Sequence, residues 1–224
     1  MKAEISGISR LRIGIDGGGV TTLVGFMYCP LECEICLNPQ TLSRSYPRWE
    51  YTPAELYNEL RKDGLYFLAT GGGVTFGGGE PLLNHQFIKE FRGICGDQWK
   101  INLETCLNVP SSFLENVIPV VDEYLIDIKD MDPERYFRYT GKDNSRVLEN
   151  LQILSGRGLS GRAVIRIPEI PGYNGPEDIS KSEAAVRELG FDRVDIFKYD
   201  VYHGKRKRNL QNAEGDPPAD RHGE

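Results

Sequence analysis

The feature that most restricts the fold of this chain is a regular alternation of short apolar segments with amphipathic ones. Six runs rich in β-branched and other large apolar residues are separated by segments with helical periodicity. This alternation is typical of parallel strands covered by helices, and six units are too few to close an eight-unit barrel. We therefore predict an α/β fold, an open partial (β/α)6 barrel. The predicted strands are 21–28, 73–76, 101–105, 124–129, 163–167 and 193–197, and the predicted helices are 53–64, 85–95, 111–117, 144–155 and 176–189.

Residues with known capping preferences mark several of these helix boundaries. Thr52, Pro53 and Glu55 have the spacing of a capping box with proline in the first helical turn, which predicts a helix start. Asn144 is the predicted cap of the helix 144–155, and Gly190 is placed to end the helix 176–189.

The composition indicates a folded chain with a polar end. A length of 224 residues suits one large α/β domain or two small ones, and no shift in composition marks a boundary before about residue 204. We therefore predict one core domain over residues 1–203. Residues 204–224 are polar and include the basic run 205–208, so we expect a disordered, solvated tail.

Charge and hydropathy exclude several classes of function. With 27 basic and 33 acidic residues the net charge is −6, which argues against nucleic-acid binding. No apolar run approaches the roughly 18 residues of a membrane-spanning helix, and the first residues lack the apolar core of a signal peptide. We expect a cytoplasmic location and no membrane partner.

The cysteines point to a metal centre. Three of the five lie within eight residues, Cys29, Cys33 and Cys36, and they follow the first predicted strand. Structural zinc sites and closed ferredoxin clusters use four protein ligands, whereas three thiolates leave one iron of a four-iron cluster open to a substrate or cofactor. This spacing favours such a cluster over zinc or unrelated thiols, the two alternatives. Of the others, we expect Cys95 to pack in a helix and Cys106 to lie beside the site.

The segment Cys29–Cys36 resembles the signature of the radical S-adenosylmethionine (SAM) superfamily. Asp16–Thr21, Asn38–Pro39 and Gly71–Pro81 make it similar to the glycyl-radical-enzyme activating enzymes, the family of pyruvate formate-lyase activating enzyme. The resemblance extends from about residue 7 to residue 204. It implies an open partial barrel of the radical SAM type and one 4Fe-4S cluster, since the interval between Cys36 and the glycine motif holds no cysteine-rich insert.

The resemblance also implies a reaction. SAM binds the open iron through its amino and carboxylate groups, and an electron from the cluster cleaves it to methionine and a 5′-deoxyadenosyl radical. That radical would take a hydrogen atom from a partner protein, a glycyl-radical enzyme, with flavodoxin or ferredoxin as the electron donor. The alternatives are a radical SAM enzyme that modifies a small molecule or ribosomal peptide, and a non-catalytic iron–sulfur or zinc module.

Individual positions take roles from this resemblance. Ile35 and Leu37 match positions whose backbone approaches the adenine, although relatives usually have an aromatic residue and a histidine there. The Gly78–Glu80 segment matches the motif that receives the methionine amino group, and a side chain at Gly79 is expected to clash with the ligand while the cluster still assembles. The full implied cofactor set is Ile35, Cys36, Leu37, Gly78, Gly79, Glu80, Glu104, Thr105, Asp127, Lys129 and Arg166, with Cys29, Cys33 and Cys36 as cluster ligands.

Three further expectations concern the rim of the barrel. In some relatives, the acids and hydroxyl that correspond to Glu104, Thr105 and Asp127 hold a monovalent cation, which is a candidate ligand here. Asp16 matches an acid near the glycine loop of the partner, and we expect it at a lateral entrance to the barrel. His203 is a candidate for the histidine that the family usually has after its sixth strand.

Overall fold

Six parallel strands form the centre of one mixed sheet in the computed structural model, which describes residues 1–198. The spatial order is β3-β1-β2-β4-β5-β6-β7-β8, and every neighbouring pair from β2 to β8 is parallel. The predicted set of six parallel strands is therefore confirmed. The strands are β1 (Ala3–Ile13), β2 (Val20–Phe26), β3 (Trp49–Tyr51), β4 (Gly73–Gly78), β5 (Lys100–Thr105), β6 (Glu123–Asp127), β7 (Ala163–Glu169) and β8 (Val194–Lys198).

The crossover from β2 to β4 contains two helices where the sequence predicts one. The capping box of Thr52 and Glu55 starts the first helix as expected, but a 3-10 turn at Arg61–Asp63 then interrupts it. The interruption turns the Asp63 carboxylate inward, where it accepts a hydrogen bond of 2.8 Å from the Thr22 hydroxyl. The helices of residues 1–198 are α1 (Pro53–Leu60), α2 (Gly64–Thr70), α3 (His85–Cys95), α4 (Ser111–Val117), α5 (Pro133–Thr140), α6 (Ser145–Gly156) and α7 (Pro176–Glu188).

Besides α2, three further elements are absent from the sequence prediction. β1 and β3 add an antiparallel extension beside β2, and α5 lies between β6 and α6. The Asp132 carboxylate caps α5 by accepting a hydrogen bond of 2.9 Å from the backbone N–H of Arg135. Asn144 does precede α6, but the predicted side-chain cap is wrong, because its amide donates to the Met131 carbonyl at 2.9 Å.

The two faces of the parallel sheet differ in chemistry. Side chains at alternate strand positions point to opposite faces, and one set forms the apolar core with the helices. On that face Phe76 stacks on Phe26 and meets Phe91 edge-on. The other set is largely polar and includes Glu104, Asp127 and Arg166. The concave face of the partial barrel is therefore left for a site.

Two sequence expectations fall on residues 199–224, outside the described residues. They are His203 as a site histidine and the polar tail 204–224, which both remain predictions. Within residues 1–198, no helix has the length and apolar character that crossing a membrane requires.

Candidate functional site

A cavity of about 1110 Å³ follows the concave side of the sheet. Its walls are the inward positions of the strands, the cysteine loop after β2 and the loop between β1 and β2. Nearly all of the residues that the sequence singles out line it. They are Asp16, Cys29, Cys33, Ile35, Cys36, Leu37, Gly78, Gly79, Glu104, Thr105, Asp127, Lys129 and Arg166.

The end of α5 holds the cysteine loop in place. The backbone N–H groups of Glu32 and Glu34 donate to the carbonyls of Thr140 and Tyr139, each at 3.0 Å. The Tyr139 hydroxyl donates to the Ile35 carbonyl. These contacts present the free, half-buried thiols of the loop to one cavity.

Burial and one nearby ammonium group set the chemistry of these thiols. Burial raises the pKa of Cys33 to about 12 and raises that of Cys36, while the positive charge of Lys129 lowers both. Cys29 differs because a hydrogen bond from Cys106 lowers its pKa, with a smaller lowering from Lys129. The loop therefore combines two thiols whose pKa is raised by burial, Cys33 and Cys36, with one whose pKa is lowered, Cys29, and all three lie beside a cation that favours the thiolate form.

The donor set fits a cluster with three protein ligands. One loop supplies three sulfur atoms to a single wall, and thiolates are the usual ligands of iron–sulfur clusters. Within residues 1–198, no group of three or more His, Cys, Asp or Glu side chains is arranged to hold a single metal ion.

Close backbone packing requires the glycines at the end of β4. The N–H of Gly79 donates to the Phe26 carbonyl at 2.9 Å, and a Cβ at Gly79 would lie 2.0 Å from the Tyr28 carbonyl oxygen. Gly78 has φ +89°, and a Cβ there would lie 2.6 Å from the Gly25 Cα. A side chain at Gly79 would therefore strike the backbone that leads into Cys29, and the expected clash with a ligand remains a prediction.

Glu80 lies behind the wall of the cavity, and its expected place in the cofactor site remains a prediction. Its side chain is fully buried, and burial raises the pKa of Glu80. One carboxylate oxygen accepts from the Thr105 hydroxyl at 2.8 Å and from the Leu82 N–H at 3.0 Å. The other accepts from the N–H of Cys106 at 2.9 Å and from its thiol at 3.0 Å. Glu80 thus ties the end of β4 to the end of β5.

A row of alternating charges crosses the middle of the cavity. Asp127 accepts from Lys129 at 3.1 Å and from the Arg166 Nε at 2.7 Å, and Arg166 also donates to Glu104 at 2.8 Å. Although burial alone acts in the opposite direction, Lys129 and Arg166 lower the pKa of Asp127. Burial raises the pKa of Glu104. Lys129 and Arg166 thus already neutralise Asp127 and Glu104, the two acids that the sequence analysis assigns to a monovalent cation.

Asp16 lies inside the barrel rather than at an entrance, which corrects its expected position. Its side chain is fully buried and pairs with Arg12, whose Nη2 donates to one carboxylate oxygen at 3.0 Å. The Asp16 carbonyl accepts from the Thr75 hydroxyl at 2.6 Å and from the Asn102 amide at 3.0 Å. Asp16 therefore belongs to the inner wall, held by strands β4 and β5.

The sequence does not predict two residues of the site, Arg12 and Tyr139, or how far the cavity extends along the strands. Arg12 escapes because β1 is not predicted, and Tyr139 escapes because α5 is not predicted; the signal for α5 is Asp132–Pro133, a cap followed by proline. The cavity also extends to residues at the amino ends of the strands. These are Lys100, Asp122, Glu123, Gly161, Arg162 and Arg193.

The fold and the three-cysteine loop define a class that comparison confirms. The model of the radical SAM superfamily matches residues 23–181, so the chain belongs to that superfamily. Over 197 residues it is 34% identical to the pyruvate formate-lyase-activating enzyme of Staphylococcus aureus strain USA300, with 84% of this chain and 77% of that protein covered. It therefore belongs to the family of glycyl-radical-enzyme activating enzymes, and this family implies a 4Fe-4S cluster and SAM.

Two further similarities concern longer proteins. The chain is 40% identical over 141 residues to the (2S)-3-sulfopropanediol dehydratase activating enzyme of Klebsiella oxytoca, with 61% of this chain and 43% of that protein covered. The alignment thus spans less than half of this relative. The crystal structure of Streptococcus suis SuiB bound to S-adenosylmethionine shares the fold, with a TM-score of 0.61 at 18% identity over 78% of this chain and 39% of SuiB.

Proposed function

We propose that this chain activates a glycyl-radical enzyme by reductive cleavage of SAM at a 4Fe-4S cluster. The observation that carries the proposal is that three distinct groups of residues line one cavity. These are the three-cysteine loop, the glycine turn at the end of β4, and the row of charges from Lys129 to Glu104. Family membership supports the same activity.

The roles of individual residues follow from their chemistry. Cys29, Cys33 and Cys36 would hold the cluster, which when bound supplies the electron that cleaves SAM to methionine and a 5′-deoxyadenosyl radical. Lys129 and Asp127 offer opposite charges to the carboxylate and ammonium groups of the methionine part. The short backbone at Gly78 and the carbonyl and N–H groups around Ile35 leave room for the rest of the cofactor.

Other parts of the proposal rest on the family alone. We place the reaction in the cytoplasm under anaerobic conditions, with flavodoxin or ferredoxin as the electron donor. We assign Asp16, on the inner wall of the barrel beside Arg12, to the region that receives the glycine segment of the partner. A monovalent cation would have to share Asp127 or Glu104 with Arg166, so we assign the positive charge at these acids to Arg166 and Lys129.

The test uses protein reconstituted anaerobically with iron and sulfide, then reduced in the presence of SAM. We expect 5′-deoxyadenosine, and we expect none from Cys33→Ala. Pyruvate formate-lyase and (2S)-3-sulfopropanediol dehydratase are then offered separately as partners, each beside a variant whose radical-site glycine is replaced by alanine. An electron paramagnetic resonance (EPR) doublet on an unmodified partner supports the proposal. If SAM is cleaved productively only with a peptide or small molecule, the glycyl-radical assignment is wrong.

A further inference from the structure

The loop after β6 contributes a lysine to the cavity and is held from behind by a buried acid. Lys129 lines the cavity, whereas the next residue, Asp130, does not line it and is only 4% exposed. A buried carboxylate requires partners of opposite charge and hydrogen-bond donors. One donor is the N–H of Asp132, at 2.8 Å, so Asp130 closes a tight turn directly after the lysine.

Arg135 supplies the opposite charge and connects three parts of the fold. Its Nε donates to one oxygen of Asp130 at 2.9 Å and its Nη2 to the other at 3.3 Å, the two-point pairing for which a guanidinium is suited. The third nitrogen, Nη1, pairs with Asp178 of α7 at 3.1 Å. Because Arg135 itself belongs to α5, one side chain joins the loop after β6, α5 and α7.

Further hydrogen bonds restrain the backbone on both sides of the lysine. After it, the N–H of Met131 donates to the Ser182 hydroxyl of α7 at 3.2 Å, and the Met131 carbonyl accepts from Asn144 at 2.9 Å. Before it, the N–H of Ile128 donates to the carbonyl of Arg166 at 3.0 Å. The ammonium group therefore projects into the cavity from a backbone with little freedom to move.

The helix that contains Arg135 also supports the opposite part of the site. Arg135 lies in the first turn of α5, and the last turn of α5 holds the cysteine loop. There the carbonyls of Tyr139 and Thr140 accept from the N–H groups of Glu34 and Glu32, each at 3.0 Å. Arg135 thus ties the support of the three thiols to the loop that carries the lysine.

We propose that Arg135 is a positioning residue of the SAM site, which acts through Asp130 to fix Lys129 relative to the cysteine loop. The inference rests on the proposed function, in which the methionine part of SAM meets both the cluster and the lysine. A ligand that spans two walls binds more tightly when their separation is fixed before it arrives. Arg135 touches neither the cofactor nor the cluster, so its effect is on affinity through geometry.

The first measurement is the affinity for SAM of the anaerobically reconstituted, oxidised protein, in which SAM binds without being cleaved. Arg135→Met should bind SAM roughly tenfold more weakly, the lower end of what loss of a supporting residue costs at metal sites. Its iron content should be normal, because one loop still supplies all three thiols. Arg135→Lys keeps the charge but cannot pair with both oxygens, so its affinity should be intermediate. Wild-type affinity in both variants overturns the proposal.

The second measurement tests whether the effect passes through the lysine. Two residues that act as a unit show non-additive effects when both are replaced. Lys129→Met removes the group that Arg135 is proposed to position, so adding Arg135→Met to it should weaken SAM binding by less than twofold. If Arg135→Met costs the same factor with and without Lys129, it acts by another route and the proposal is wrong.

A second arginine provides the control for loss of stability alone. Arg92 is as well buried and donates to the carbonyls of Val120 and Trp99, each at 2.8 Å, at the end of α3. Arg92→Met should lower the urea midpoint and leave SAM affinity unchanged. If it weakens SAM binding as much as Arg135→Met does, reduced stability explains both effects and the proposal is wrong.

Two remaining outcomes are also decisive. Should Arg135→Met fail to fold, Arg135→Lys takes its place, alone and combined with Lys129→Met, and wild-type affinity in Arg135→Lys overturns the proposal. Because no measurement uses a partner protein, normal SAM binding without glycyl-radical formation would reject the proposed partner activity and leave the role of Arg135 intact. A wild-type protein that does not bind SAM would reject both.

Discussion

Glu80 is the residue whose chemistry the sequence describes least well. A glutamate in a glycine-rich turn next to a metal loop suggests a ligand contact, yet this carboxylate is buried and accepts hydrogen bonds from Leu82, Thr105 and Cys106. Its partners Thr105 and Cys106 are about 25 positions away in sequence. The spacing of motifs predicts which strand ends meet, but it does not predict which side chains satisfy one another there.

Replacing Glu80 with glutamine should destabilise the protein. The amide has one acceptor oxygen instead of two, so its NH2 group would face a backbone N–H and leave buried donors without a partner. Such groups cost about 1–3 kcal/mol each. Urea unfolding of the cluster-free protein measures the loss, and Glu188→Gln, at an exposed position at the end of α7, should stay within about 0.5 kcal/mol of the wild type. Equal stability of both variants would show that the buried carboxylate is not an anchor.

Replacing Gly79 with alanine should disturb both the fold and the cysteine loop. The new Cβ would lie 2.0 Å from the Tyr28 carbonyl oxygen, so the backbone must move next to Cys29. We expect a loss of about 1–3 kcal/mol, as for other overpacked sites, together with lower iron content after reconstitution.

A second glycine in a helix provides the matched control for this change. Gly93 is exposed in α3 with no atom near the position of a Cβ, so Gly93→Ala should be neutral or stabilising by up to about 1 kcal/mol. Normal iron content and stability in Gly79→Ala, with weaker SAM binding alone, would restore the ligand clash as the reason for this glycine.

Replacing Arg166 with methionine should cost stability in a way that depends on pH. The change leaves the carboxylates of Asp127 and Glu104 without their shared partner. Because these side chains are only partly buried, the cost at neutral pH should lie between the roughly 1 kcal/mol of a surface pair and the about 3–5 kcal/mol of a fully buried one. Because Arg166 lowers the pKa of Asp127, its contribution is present above the ordinary carboxyl pKa of about 4 and is lost as the pH falls further.

Urea unfolding between about pH 3 and pH 7 checks this prediction. The difference between wild type and Arg166→Met should shrink toward the acid end. Arg193→Met is the control, because Arg193 is half exposed and its pair with Glu123 should contribute at most about 1 kcal/mol. A difference that stays constant with pH would mean that the guanidinium stabilises the fold by packing alone.

At the scale of secondary structure, the sequence predicts those strands and helices whose buried faces consist of aliphatic side chains. The six parallel strands are buried by helices and read as continuous apolar runs. Helix α5 buries Tyr136, Tyr139 and Thr140 instead, so its inner face carries hydroxyl groups and gives no aliphatic period. β1 buries only Ala3 and Ile5 and therefore shows no strand period along most of its length.

The missed helix α5 has a functional consequence that can be tested. Tyr139→Phe removes the hydroxyl that donates to the Ile35 carbonyl, while the ring can stay packed against Ile170 and Tyr173. We expect a loss of about 1 kcal/mol in stability and a several-fold lower affinity for SAM, with normal iron content. Tyr173→Phe, a neighbouring ring, should change neither by as much. Unchanged SAM affinity in Tyr139→Phe would separate α5 from the cofactor site.

At the scale of the whole molecule, the sequence predicts which residues line one cavity, but not how deep in the barrel some of them lie. Parallel strands meet at their carboxyl ends, so the glycine turn and the residues after β5 and β6 could be predicted to share a mouth. The inner position of Asp16 could not be predicted, because it depends on Arg12 from the unpredicted β1 and on Asn102 from the middle of β5.

The predicted polar tail leads to a test on the full chain. Ending the protein after His203 should leave the melting temperature and the iron content of the reconstituted protein unchanged, because residues 204–224 lack the apolar groups needed for a core. A lower melting temperature, or a lower iron content, would place part of this segment in the folded domain.

The division of the sheet into an apolar and a polar face has an evolutionary consequence. The helices pack against one face of the sheet, and this packing provides most of the hydrophobic stabilisation. Side chains such as Lys100, Arg162 and Asp195 line the cavity on the other side. Substitutions at these positions leave the packing of Ile101 and Ile165 untouched. A lineage of such proteins can therefore acquire new partners by changing the lining of the barrel, with the scaffold inherited unaltered.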